Sequence, residues 1–423
     1  MEKFIVNGGT RLEGKIQIGG SKNAVLPIAV AAAILGDSTT VLNNVPNLTD
    51  VRTLSAVLEG LGATTKLKNS TLCIEPINRL EYEAPYDLVR KMRASIYVLG
   101  PLVAKLGRAK VSFPGGCAIG PRPVDLHIRG LTHLGAQVDV KEGYIYAQAR
   151  KLIGTDIDLI GQHGPSVGAT ANVMMAATLA EGTTVINGAA REPHITDLAN
   201  FLIAMGADID GIGTDTLSIH GVKQLHGTEY DVISDDIEAG TFMVASAITN
   251  GNVYIEGITQ EQLPAVSTKL TEMGVDLDWD EQGVRVTTPR QLKAVNVKTV
   301  PFPGFPTDMQ AQIMGLLCLA SGTSTITENV HTDRYIHTAE LNRMGADIRL
   351  DGRKAIINGV SSLSGAPVMA SDLRAGAVLV IAGMAAIGET VVSRIYHIDR
   401  GYEAIEEKLN SIGAKIKRID DTN

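Results

Sequence analysis

A phrase of six residues recurs six times along this chain and limits what it can fold into. It reads Leu-x-x-(Leu/Met/Ile)-Gly-(Ala/Val) and begins at Leu58, Leu131, Leu202, Leu270, Leu341 and Leu409. Its glycines, Gly62, Gly135, Gly206, Gly274, Gly345 and Gly413, stand 73, 71, 68, 71 and 68 residues apart. A near-constant period of this length means one folding unit used six times. Each phrase reads as a helix end: two apolar residues anchor the last turn and the glycine takes the left-handed position that closes it. A short strand should follow, as at 137–140 and 347–350.

A second element recurs between the phrases. Six Ala/Met/Leu-rich segments, 22–35, 92–106, 166–181, 235–250, 307–321 and 372–387, are apolar on most faces. Such helices belong in a core. A β segment follows each, at 40–42, 110–113, 184–186, 252–255, 324–326 and 390–392. Three units could bury their central helices together behind sheet, and two such triads would make two α/β domains. A chain of 423 residues is also too long for one ordinary core. The net charge of -8 argues against a general nucleic-acid binder. The most apolar stretches, 25–35 and 378–387, are about half the ~20 residues a bilayer crossing needs, and no secretory leader is read. Three cysteines build no disulfide framework and show no metal-ligand spacing. A reduced, cytoplasmic setting without metal or cofactor is the expectation.

Chemistry concentrates where the central helices begin. Ser166, Ser234 and Ser371 suit N-caps. Lys22, Arg93 and Arg374 do not suit these ends by themselves, because a cation there opposes the helix dipole. An anion held between the cation and the backbone N–H groups resolves the conflict, so small anionic ligands are expected. One loop is unlike the rest: residues 114–124 hold three prolines and three glycines around Cys117. Stiff segments joined by permissive hinges make a plausible lid. A nearby cation such as Arg122 would favour the Cys117 thiolate. Cys73 and Cys318 read as packing residues.

At these residues the chain resembles the enolpyruvyl transferase family, in its nucleotide-sugar branch. The motifs are Gly19-Gly20-Ser21-Lys22-Asn23-Ala24, Met92-Arg93-Ala94-Ser95, Pro114-Gly115-Gly116-Cys117, and the run from Gly120 to His127. Further along come Ser166-Val167-Gly168-Ala169-Thr170, Ala190-Arg191-Glu192-Pro193, the run from Gly304 to Ala311, Ser371-Asp372-Leu373-Arg374, and the run from His397 to Glu403. The resemblance implies an inside-out α/β barrel of two domains with three repeated units each. It also implies that residues 1–20 join 231–423 in the C-terminal domain, while 21–230 form the N-terminal one.

The implied reaction moves the enolpyruvyl group of phosphoenolpyruvate onto the 3-hydroxyl of UDP-N-acetylglucosamine by addition and elimination, and phosphate leaves. This would be the first committed step of peptidoglycan synthesis. By resemblance, Asp308 is the general base for the sugar hydroxyl. Cys117 protonates the methylene carbon, can form an adduct, and is the target of fosfomycin. Lys22, Arg93, Arg122, Arg374 and Arg400 clamp phosphate and carboxylate, with Lys22 and Arg400 counted among the catalytic groups. Arginine suits flat bidentate recognition of such anions. The nucleotide sugar would lie along Asn23, Arg93, Arg122, Pro123, Val124, Asp125, Leu126, Ser166, Val167, Gly168, Asp308 and Val330. Glu192 and Arg334 take support roles, and Asp372 and Asp399 would orient neighbouring arginines. One departure stands out: relatives often carry Lys two residues before Ser-Val-Gly, where this chain has Gly164. The rival readings are transfer to 3-phosphoshikimate, a non-catalytic repeat scaffold, and RNA-end processing.

Overall fold

A computed structural model describes residues 2–84, 86–89, 92–113, 124–288 and 291–420. The chain forms two compact units, one of residues 2–19 with 234–420 and one of residues 20–113 with 124–233. Each has its own apolar core, built almost wholly from Ala, Val, Ile, Leu and Met.

The recurring phrase folds as its chemistry requires. Gly62, Gly135, Gly206, Gly274, Gly345 and Gly413 all have φ between 91° and 106°. In each copy the residue after the glycine donates its N–H to the carbonyl of the opening leucine, as Ala63 does to Leu58 and Ala346 to Leu341. This six-to-one bond is the Schellman closure. The opening leucine is buried in all six copies, and so is the residue before the glycine.

The central helices are Lys22–Leu35, Leu99–Leu106, Val167–Ala177, Asp236–Ile248, Gln310–Leu317 and Leu373–Ala385. Two of them are entered through a tighter 3₁₀ turn, Arg93–Val98 and Thr307–Met309. Within each unit the three central helices pack on one another. Every residue of Asp236–Ile248 is buried, and in Lys22–Leu35 only the first two are not. Helices apolar all round can exist only with such neighbours.

Five sheets share one pairing scheme. The strand after a central helix has a parallel neighbour on one side and an antiparallel one on the other. That antiparallel strand pairs again with the strand that follows the Gly phrase. Among the described residues the sheet of Arg108–Ser112 has three strands, with a parallel bridge from Glu83 to Lys110 at the fourth place. None of the sheets among the described residues closes on itself, so the barrel implied by resemblance is an arrangement of separate open sheets. Strands from the N-terminus complete two of them. Glu2–Asn7 lies between Glu389–Ser393 and Lys415–Asp420, and Glu13–Gln17 runs parallel to Asn252–Glu256. Glu229–Asp231 closes the scheme at Thr40–Asn43 in the other unit.

The expected caps need two corrections. Ser166 caps its helix, accepting from the Ala169 N–H at 3.3 Å, and Ser21 does the same for Ala24. Ser234 and Ser371 do not cap. Asp235 and Asp372, one residue later, take those places and accept from Glu238 N–H, and from Arg374 and Ala375 N–H. A carboxylate at the positive end of a helix is the stronger acceptor. Cys318 packs as expected, and burial pushes its thiol up to about 12; Cys73 is half-buried in the strand Thr71–Glu75. No helix among the described residues is long and apolar enough to cross a membrane.

Candidate active site

In the unit of residues 234–420, a carboxylate sits between two buried arginines. Asp308 lies in the 3₁₀ turn that opens a central helix, and it is not the cap: Pro306 holds that place. Its Oδ1 accepts from Arg334 Nη1 at 2.6 Å and its Oδ2 from Arg374 Nη2 at 3.0 Å. Asp308 keeps 30% of its side chain exposed, whereas Arg334 and Arg374 keep 5% and 2%. The carboxylate is therefore the most accessible of the three groups.

Arg374 is the second residue of Leu373–Ala385, so its charge sits at the positive end of that helix. Asp372 accepts from two N–H groups of that first turn, Arg374's own among them, which offsets the unfavourable dipole. Burial works against the Arg374 charge, but the Tyr402, Asp308 and Asp235 side chains outweigh it and hold the guanidinium as a cation. It lies over the Tyr402 ring at 5.3 Å. Its Nε and Nη1 have no hydrogen-bond partner among the described residues. Two buried cationic donors left over in this way are suited to an anion.

Asp236, beside the capping Asp235, is also buried. Burial, and then the charge of Asp235, push its carboxyl well above the usual range. Arg400 ends the 3₁₀ turn Ile395–Arg400 and is half-buried. Asp399 takes Arg418 in a two-point bond, at 2.6 and 3.1 Å. Arg418 comes from the edge strand Lys415–Asp420. Asp372 likewise touches Arg374 through its backbone N–H as the helix cap. Val330 lies half-buried in the loop after Thr323–Thr327.

In the other unit, Lys22 opens Lys22–Leu35, and its Nζ is 3.5 Å from Asp50 Oδ2 with both side chains largely buried. Asp50 comes from the first turn of Thr49–Gly60, and no local pattern marks it as a partner. Asn23 follows Lys22 and is half-buried, as are Ser166, Val167 and Gly168 at the third central helix. Arg93 opens its 3₁₀ turn. Val124 and Leu126 are buried around the start of Asp125–His133, and Asp125 is exposed. Glu192 stands at the N-cap position of Pro193–Ala204 without a side-chain capping bond. Cys117, Arg122 and Pro123 lie outside the described residues.

His127, the last residue of the Gly120 motif, is buried beside Gly168 of the Ser-Val-Gly motif. Asn172 donates to the backbone oxygen of Ile96, and its Oδ1 accepts from Gly100 N–H, so the amide orientation is fixed. The other amide hydrogen meets His127 Nδ1 at 3.1 Å. Nδ1 must then accept, and the proton sits on Nε2. Burial, and then the Arg93 charge, hold the ring neutral, with a pKa of about 3. A Cβ at Gly168 would lie 3.0 Å from His127 Nε2, so the Ser-Val-Gly glycine makes room for this ring.

Gly164 has a local explanation. It pairs with Gly161 in a short hairpin and has φ +92°, a backbone that a lysine rarely adopts. His163 sits at the exposed hairpin tip.

Within the unit of residues 234–420, a buried cation at a helix start, Arg374, stands beside a partly exposed carboxylate, Asp308, an arrangement suited to an anionic ligand next to an acid–base group. The comparisons narrow this. The sequence model described as EPSP synthase (3-phosphoshikimate 1-carboxyvinyltransferase) matches residues 6–409, and the chain belongs to this enolpyruvyl transferase family. It is 52% identical to UDP-N-acetylglucosamine 1-carboxyvinyltransferase 1 of Caldanaerobacter subterraneus subsp. tengcongensis, over 98% of this chain and 99% of that one. It is also 52% identical to the UDP-N-acetylglucosamine 1-carboxyvinyltransferase of Lawsonia intracellularis, over the whole of both. Among solved structures, the enolpyruvyl transferase NikO from Streptomyces tendae superposes with a TM-score of 0.89 at 25% identity, over 99% of this chain and 98% of that one. EPSP synthase from Acinetobacter baumannii shares the fold, with a TM-score of 0.77 at 20% identity, over 99% of this chain and 100% of that one.

Proposed function

We propose that this chain is a UDP-N-acetylglucosamine 1-carboxyvinyltransferase: it transfers the enolpyruvyl group of phosphoenolpyruvate to the sugar 3-hydroxyl and releases phosphate. The observation that carries this is Asp308, a partly exposed carboxylate backed by two buried arginines, one of which has two donor nitrogens without a partner among the described residues.

Asp308 takes the proton of the 3-hydroxyl. Each of its oxygens accepts from an arginine, and the carboxylate stays partly exposed, where a sugar hydroxyl can approach it. The sugar oxygen bonds to C2 of phosphoenolpyruvate while Cys117 delivers a proton to the methylene carbon. The product is a tetrahedral ketal that still carries phosphate. Loss of a proton from the new methyl group and departure of phosphate restore the double bond. Lys22, Arg93, Arg122, Arg374 and Arg400 hold the phosphate and carboxylate and meet the charge that develops in the transition state. Asn23, Val124, Asp125, Leu126, Ser166, Val167, Gly168 and Val330 take the nucleotide sugar. Fosfomycin alkylates Cys117, and the reaction belongs to the cytoplasm.

Transfer to 3-phosphoshikimate is the second reading, because the family description carries that activity. The 52% identity to nucleotide-sugar relatives, against 20% to an EPSP synthase, favours the first. Phosphate release from phosphoenolpyruvate with UDP-N-acetylglucosamine, against release with shikimate 3-phosphate, decides between them. Cys117→Asp should keep measurable turnover and resist inactivation by fosfomycin, since a carboxylic acid can still donate the proton but offers no thiolate.

A further inference from the structure

We infer that Glu328, which no motif marked, is a positioning residue for the acceptor side of this reaction, acting on Asp308 through Thr307 and Arg334. The inference rests on the proposed role of Asp308.

Glu328 follows the strand Thr323–Thr327 and is fully buried. A buried carboxylate is costly unless its acceptor capacity is filled, and here four donors fill it. Oε1 accepts from Thr299 Oγ1 at 2.7 Å and from the backbone N–H groups of Val330 and His331, both at 2.9 Å. Oε2 accepts from Thr307 Oγ1 at 3.0 Å. The same Thr307 oxygen accepts from Arg334 Nη1 at 3.2 Å, and that nitrogen also donates to Asp308 Oδ1 at 2.6 Å.

The direction of each bond follows. The Glu328 carboxylate can only accept, so the Thr307 hydroxyl must point its hydrogen at Glu328 and turn its lone pairs to Arg334. Arg334 Nη1 is thereby held between Thr307 and Asp308. One buried charge thus fixes the loop that carries Val330 and the arginine that orients the base. Thr299 anchors the same loop by accepting from Asn329 N–H at 3.0 Å.

Glu328→Gln keeps one acceptor oxygen for the loop but replaces the other with an amide that cannot accept from Thr307. Thr307→Val removes the same link from its other end. Each should lower kcat about 10- to 100-fold, the size of one lost hydrogen bond to a charged group, with KM for UDP-N-acetylglucosamine little changed. The double variant should be no worse than the poorer single one. Thr307→Ser, which restores the hydroxyl, should return kcat to near the native value. Glu328→Ala also releases the loop and should raise KM. In the protein without substrates, amide hydrogen exchange at Val330 and His331 should speed up in Glu328→Ala and, to a smaller degree, in Glu328→Gln. Effects of Glu328→Gln and Thr307→Val that multiply, no rescue by Thr307→Ser, or unchanged exchange in both Glu328 variants would overturn the inference. A native protein that releases no phosphate with UDP-N-acetylglucosamine would instead remove the proposed function, and the exchange comparison would still decide whether Glu328 holds the loop.

Discussion

Asp308 and Arg374 meet at 3.0 Å although 66 residues separate them in sequence. The pair joins the starts of two central helices in one unit, and the charge of one is the counter-charge of the other. Asp308→Ala removes both the proton acceptor and this counter-charge. Turnover should fall by about 10²- to 10⁴-fold, the range for loss of a general base. Binding of UDP-N-acetylglucosamine, measured by calorimetry, should weaken far less. Near-native turnover would remove Asp308 as the base.

His127 should make the protein acid-sensitive. Its pKa is held at about 3 in the fold against 6.5 in the unfolded chain. Between these values the unfolded state binds the extra proton, so stability is present above about pH 6.5 and is lost as pH falls toward 3. Melting temperatures of His127→Gln should fall less steeply with acid in this window than those of the native protein. Parallel slopes would contradict the assignment.

Gly164→Lys should not restore a contact with the nucleotide sugar. The backbone there has φ +92°, and a side chain in this region costs about 1–2 kcal/mol. A lower melting temperature with unchanged KM is expected; a tenfold drop in KM without loss of stability would show the hairpin to be adaptable.

The helix-closing glycines offer a test of the repeat itself. A Cβ at Gly345 would meet none of the described residues within 4 Å, whereas one at Gly62 would fall 2.4 Å from the Arg79 carbonyl oxygen. Gly345→Ala should therefore show the backbone cost alone, about 1–2 kcal/mol by denaturant unfolding. Gly62→Ala should cost more. Equal values would mean that the carbonyl moves aside freely.

These glycines also show what could be read in advance. The Leu-x-x-x-Gly phrase is legible because its closure is local: the leucine, the glycine and the bond from the next residue back to the leucine carbonyl lie within six residues. The central helices are legible for a similar reason, since composition alone marks a helix apolar all round. At two of them the cap falls on the aspartate, Asp235 or Asp372, and not on the serine before it, because serine and aspartate are both good caps and neighbours compete. Long-range partners leave no local trace. Lys22 with Asp50, Asp399 with Arg418, and Asp308 with Arg334 are settled by how the sheets and helices stack. Glu328 was missed for the same reason, since its four donors come from three separate segments.

The most direct test of the account is phosphate release by the purified protein given phosphoenolpyruvate with UDP-N-acetylglucosamine, with shikimate 3-phosphate, or alone. Release that depends on UDP-N-acetylglucosamine, and is abolished by Asp308→Ala, is the predicted result. Release that depends on shikimate 3-phosphate, or on neither acceptor, would contradict it.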